Sequence, residues 1–196
     1  LTMEFVEGPD LARLMAACAP GPLPPAIAVE IAVQLCRALG HAHTRKDIQG
    51  RPVGIVHGDV SPSNVLLSTD GAAMLTDFGL ARLAAAASAE RTVAGKLAYM
   101  SPEQASGQPL TGASDLYSLG LVLFELLAGR RAFEAEGDTS AMLAAVRAGR
   151  CPDLAEIAAG DLPAGLCQAV GHAIETDPQA RPASAAELAA ELTSAC

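Results

Sequence analysis

The sequence contains no tryptophan and little aromatic material of any kind, only 3% of its 196 residues. A core must therefore be built mostly from leucine, alanine and valine, and the length suffices for one domain or one large lobe. Positive charge is scarce as well: 13 lysines and arginines face 22 aspartates and glutamates, a net charge of −9. That excludes the basic face a nucleic-acid or anionic-membrane partner would require, so no nucleic acid is expected. The five cysteines form no C-x-x-C pair and are odd in number. A disulfide framework or cysteine metal site is thus not expected, and a reducing, cytoplasmic location is. Cys36 and Cys167 sit in apolar helical patterns and read as small core residues. No basic-then-apolar leader opens the sequence. The most apolar run, Leu116 to Ala128, is too short for a bilayer and holds Glu125, so it reads as a buried helix and no membrane segment is expected.

What is present sorts into a few short strands followed by helices. LTMEFV at 1–6 reads as a short strand ending at Gly8-Pro9, and Asp10 stands at a helix N-cap position before Leu11–Met15. Pro20-Gly21-Pro22 breaks that helix, and Pro24 and Pro25 occupy the first turn of the next. There Ile27, Ile31, Leu35 and Leu39 recur every four residues beside Ala28, Ala32 and Cys36, which predicts one buried stripe. TRKDIQGRPV at 44–53 suggests a surface hairpin or loop. Strands are expected at Val65–Leu67 and Ala73–Leu75, joined through an Asp70-Gly71 turn. Residues beyond 80 lack periodicity over a length that is usually functional or disordered. From about Ser114 onward the pattern is helical, with helices expected to Ala128, at 139–148, 164–174 and 183–192. The fold class expected is mostly α with a few short β-strands.

The chemistry-bearing stretch is HGDVSPSN at 57–64. It places Asp59 and Asn64 five residues apart on a loop between two apolar runs. A carboxylate and a carboxamide so spaced can hold a metal and activate a hydroxyl; they can equally be Asx-turn formers. DFG follows at 77–79 and SPE at 101–103. Each is weak alone, but in this order, flanking a strand pair and preceding a buried helix, they form a strong signal. With these motifs the chain resembles the large, C-terminal lobe of the eukaryotic-like Ser/Thr protein kinases of bacteria, from Leu1 to about Leu192.

The resemblance implies transfer of the ATP γ-phosphate to a protein hydroxyl, with ATP and Mg2+ as cofactors and a protein as substrate. Asp59 would orient the hydroxyl, and Asn64 and Asp77 would supply hard oxygen ligands to Mg2+. Phe78 would pack beside His57, which reads better as a packed structural histidine than as an acid or base. Gly79 would let the DFG loop turn. Glu4 and Val6 match the hinge that meets adenine, Met3 the gatekeeper behind it, Asp10 the residue that reaches ribose, and Leu66 the residue under adenine. An N-cap role for Asp10 and core packing for Leu66 account for them equally. Glu103 and Arg181 match a buried structural ion pair. Asp115 matches the carboxylate anchoring the catalytic loop, or is a plain N-cap.

The pattern departs from the family at four points. Gly58 replaces the arginine that pairs with a phosphorylated activation loop, so activity independent of Ser88 or Thr92 phosphorylation is expected. Ser61 replaces the catalytic-loop lysine, and Lys96 replaces the threonine ahead of the SPE motif. The two exchanges are reciprocal, which suggests that Lys96 delivers the charge and Ser61 the hydroxyl; a solvated Lys96 and a turn-forming Ser61 are the alternative. Finally, no glycine-rich loop precedes Leu1. The chain therefore reads as a partial kinase domain, 1–196, from hinge strand to last helices, whose missing N-terminal lobe is its first partner. By itself it is expected to be nearly inactive. Ser61-Pro62-Ser63 lacks the tyrosine-kinase pattern, favouring serine and threonine. Two other readings stay open: a non-catalytic docking lobe, and a small-molecule kinase like the aminoglycoside phosphotransferases, with which HGD is shared.

Overall fold

The computed structural model describes residues 5–18, 21–78, 95–134, 138–158 and 162–195. Two helices lead the chain. Helix α1 (Leu11–Cys18) is capped by Asp10, whose Oδ1 accepts the Arg13 N–H at 2.8 Å. Helix α2 (Pro25–His43) starts with proline in its first turn. Its expected stripe is buried at Ala28, Ile31, Ala32, Leu35, Cys36 and Leu39. Ile27 is a correction: it is 49% exposed, because in the first turn it lies at the margin of the face that meets the core. Burial pushes the Cys36 thiol up to about 12, as suits a core residue rather than a reactive one. Cys167 is only half-buried, at the edge of the core.

Strands β1 (Val65–Leu67) and β2 (Ala73–Leu75) form the expected antiparallel hairpin, in the register Val65↔Leu75 and Leu67↔Ala73. The turn closes through Ser68 N–H to Ala72 O at 2.9 Å. Gln34 of α2 ties this hairpin down: its Oε1 accepts the Ala73 N–H and its Nε2 reaches Gly71 O. The segment before α1 lies along the other edge of β1, where Leu67 N–H donates to Pro9 O and Thr69 N–H to Glu7 O, both at 2.9 Å. Gly8 permits this approach, since a Cβ there would meet Leu67 O at 1.8 Å. Of the strand expected at 1–6, only Phe5 and Val6 are among the described residues, and they are not in a strand.

The second half is helical: α3 (Pro102–Ala105), α4 (Gly112–Ala128), α5 (Thr139–Arg147), α6 (Leu154–Ile157), α7 (Ala164–Ala173) and α8 (Ala185–Ser194). Helices α3 and α6, each of four residues, are too short to show periodicity and were not expected from the pattern. Helix α4 is apolar on nearly all sides, and from Leu116 to Leu127 every residue but Glu125 is buried. It forms the axis of the core, with α2 and α8 packed together on one flank and α7 against it. Gly129 ends it with φ 70°, satisfying the Glu125 carbonyl. Among the described residues no helix is long and apolar enough to cross a membrane.

Candidate active site

The loop 57–64 is held from beneath by one buried carboxylate. Asp115, in the first turn of α4, is 1% exposed. Its Oδ2 accepts the His57 N–H at 2.9 Å and its Oδ1 accepts the Gly58 N–H at 2.8 Å. His43 Nε2 lies 2.8 Å from the same Oδ2. Asp115 is thus a loop anchor rather than a plain N-cap, which Thr111 supplies. His43 was missed in the sequence, although it continues the four-residue spacing of Ile27, Ile31, Leu35 and Leu39. A polar residue at the last position of an apolar stripe was the signal.

His57 fixes the next layer. Its Nδ1 accepts the Asp59 N–H at 3.1 Å, so the ring proton sits on Nε2 and is donated to Thr76 O at 2.9 Å. Its ring stacks on Phe78 at 4.5 Å between centroids, tilted by 57°. These contacts make His57 a packed histidine that joins the 57–64 loop to the 76–78 loop. Phe78 stands beside it, as expected.

Asp59 and Asn64 face each other across the bend. Asn64 Nδ2 donates to Asp59 O at 2.8 Å and to Asp59 Oδ2 at 3.1 Å. Lys96 Nζ reaches the same Oδ2 at 2.5 Å. Both donors therefore occupy one oxygen, and among the described residues Oδ1 accepts no hydrogen bond. Ser61 does not meet Lys96; its Oγ lies 3.1 Å from Ser63 Oγ and the residue is buried. Lys96, in the helical turn at 95–97, thus pairs with Asp59, while the Ser61 hydroxyl faces its own turn.

At the open end of the hairpin the backbones of Asn64 and Thr76 face each other, which places Asp77 one residue beyond. Thr76 N–H donates to Asn64 O at 3.0 Å, extending the β ladder by one rung, and Asp77 is the next residue. Asp77 has φ 62°, the one non-glycine residue at positive φ among those described. Aspartate tolerates that region better than most residues, and such strain collects at functional sites. With its amide nitrogen committed to Asp59, Asn64 has Oδ1 left for a cation. A carboxamide oxygen and a carboxylate are hard donors of the kind Mg2+ takes, with water and phosphate completing its shell. Among the described residues no group of three His, Cys, Asp or Glu side chains gathers as a metal site.

On the other edge of β1, Asp10 and Leu66 form an antiparallel bridge, which makes the two predicted nucleotide contacts neighbours. Val6 precedes them on the same segment and is half-buried; Met3, Glu4 and Gly79, like Ser88 and Thr92, lie outside the described residues.

Below the site, Arg181 pairs with Glu103 through two bonds of 2.8 and 2.9 Å. Its remaining donors reach Glu175 O, Ala113 O and Thr176 O, so all five N–H groups are used. The guanidinium also stacks 4.7 Å over the Tyr117 ring. Burial works to raise the Glu103 pKa, but hydrogen bonds from Arg181 and Ser114 outweigh it and hold the carboxyl down to about 2.

This fold, with its loop anchor, paired loops and buried ion pair, belongs to a recognisable class. Residues 1–191 match the protein kinase domain family, and the chain belongs to it. It is 38% identical over 183 residues to the serine/threonine-protein kinase PknA of Corynebacterium glutamicum, covering 92% of this chain and 36% of that protein. It is 35% identical over 196 residues to PknB of Mycobacterium tuberculosis, covering 98% of this chain and 29% of that one. The PknI kinase domain of Mycobacterium tuberculosis superposes with a TM-score of 0.73 at 28% identity, over 99% of this chain and 65% of that structure. The chain thus spans about a third of the length of these curated relatives.

Proposed function

We propose that this chain is the catalytic, C-terminal lobe of a Ser/Thr protein kinase, running from hinge to last helix, whose intact form transfers the ATP γ-phosphate to a protein hydroxyl. The observation that carries the proposal is the convergence on Asp59: Asn64 and Lys96, from two separate segments, both bind its Oδ2. That arrangement leaves Oδ1 to take a hydrogen bond from a serine or threonine hydroxyl and so to hold the oxygen for in-line attack. Lys96 then serves two ends: it fixes the carboxylate and, being 40% exposed in its side chain, brings positive charge to the face where phosphate oxygens would arrive. Mg2+, held by Asn64 Oδ1 and the Asp77 carboxylate, would supply charge neutralisation at the phosphates. Val6, Asp10 and Leu66 would line the nucleotide along the other edge of β1, with Glu4 completing the hinge and Met3 as gatekeeper behind it. Ser61 has the smaller part of shaping the bend through Ser63.

A docking lobe without catalysis would need none of these side chains. The test is phosphoryl transfer from radiolabelled ATP to a protein panel by the intact enzyme, with Asp59→Asn as control. Transfer that depends on Asp59 supports the reading. Transfer unaffected by Asp59→Asn would refute it, as would transfer to an aminoglycoside but to no protein.

A further inference from the structure

The segment joining α2 to the catalytic loop is long and unlike the rest of the surface. It is a turn pinned at many points. Val53 N–H donates to Arg45 O at 2.8 Å, Asp47 N–H to Arg51 O at 2.9 Å, and Lys46 bridges Pro52. The Asp47 carboxylate accepts the Gln49 and Arg51 N–H groups at 2.8 and 3.0 Å and the Arg51 Nε–H at 2.7 Å. Arg51 in turn donates to Gln49 Oε1 at 2.7 Å. On this fixed frame stands Ile48, 98% exposed at the tip, with Val53 54% and Ile55 39% exposed along the returning arm. They are three of the six large hydrophobics exposed among the described residues.

Scattered exposed apolar residues need no account, but three of them on one short pinned segment, two lining a groove, mark a contact surface. The returning arm also forms one wall of a groove of about 790 Å³, with Gln108, Pro109 and Leu110 opposite and His57 and Gly58 at its inner end. The charge here inverts that of the molecule. Arg45, Lys46 and Arg51 stand against Asp47 alone, in a chain of net charge −9. Arg51 is engaged by Asp47, whereas Arg45 and Lys46 make no ion pair among the described residues.

We propose that the 45–55 turn and its groove form a docking surface for an acidic segment of a partner protein, with apolar side chains that pack on Ile48, Val53 and Ile55. Arg45 and Lys46 favour carboxylates over lysines, which sets the sign of the partner. The pinned frame presents Ile48 without further ordering, so little conformational freedom is lost on binding. Because the groove ends at Gly58, whose carbonyl accepts from Gln104 Nε2 at 2.9 Å, a docked partner would be tethered beside the catalytic loop. That last consequence rests on the kinase reading; the docking itself does not.

The experiment is fluorescence anisotropy of the full chain with a short fluorescein-labelled peptide in which leucines alternate with aspartates. Its counterpart carries lysines in place of the aspartates. The proposal expects saturable binding of the acidic peptide, weakened at least about tenfold by Ile48→Ser and again by paired Arg45→Glu and Lys46→Glu substitutions, and lost as salt rises. Equal binding of the lysine peptide, no saturable binding, or indifference to Ile48→Ser would overturn it. So would sedimentation showing that copies of the chain pair through this turn and separate on Ile48→Ser, since the occupant would then be a second copy. Failure of phosphoryl transfer with binding intact would refute the kinase reading alone.

Discussion

Lys96 and Asp59, 37 positions apart, form an ion pair of 2.5 Å, and Asn64 donates to the same carboxylate oxygen. A carboxylate gripped on one oxygen cannot rotate freely, so its other oxygen faces one direction.

Removing that grip should slow the enzyme more than it weakens nucleotide binding. In the intact kinase, Lys96→Ala is expected to lower kcat about 100-fold, the scale of losing one charged donor from a reacting centre. Lys96→Arg should retain part of the rate. Steady-state phosphorylation kinetics measure this, and an unchanged kcat in Lys96→Ala would remove Lys96 from the mechanism.

The ion pair of Glu103 and Arg181 should set the acid limit of stability. The Glu103 pKa is lowered from 4.5 to about 2 in the fold, so its contribution is complete above the unfolded value and fades as pH falls from 4.5 toward 2. The size expected is on the order of 3 kcal/mol. Urea unfolding across that window should show the slope in the wild type and a flatter one in Glu103→Gln. At neutral pH, Arg181→Ala leaves Glu103 buried without its partner and should cost about 3–5 kcal/mol.

Gly58 has φ 72°, and a Cβ there would stand 3.3 Å from Leu110 Cδ1. Gly58→Ala should therefore destabilise by about 1–2 kcal/mol, read as a shift in urea midpoint at constant m-value. An increase in stability would mean that the loop can relax around a side chain.

The same residue carries no guanidinium for a phosphate on Ser88 or Thr92. Phosphatase treatment of the intact kinase should leave turnover within about twofold, since no charge-assisted pair is lost. Abolished turnover after treatment would show that another cation reads the phosphate.

Much of this architecture was legible in residue order. The hairpin strands, both long helices and the apolar axis were read from periodicity and turn chemistry, because each is a local property. The Asp10 cap was legible for the same reason. Ile27 misled because a four-residue spacing does not say where the core ends. What was hidden is long-range: His43 meets Asp115 across 72 positions, and Gln34 meets the hairpin across 39. The reciprocal exchange of Ser61 and Lys96 was visible as two letters. That the amine seeks Asp59, while the hydroxyl turns to Ser63, depends on how the loops close.

Arg181 has a bearing on how the protein is born as well as on how it stands. Its guanidinium binds oxygens at residues 103, 113, 175 and 176, the first of them 78 positions earlier. On the ribosome, the segment around Glu103 emerges long before that cation does, and it must wait with an unmatched carboxylate that cannot be buried cheaply. A nascent chain halted short of residue 181 should thus remain a chaperone client and a protease target, however complete its apolar axis.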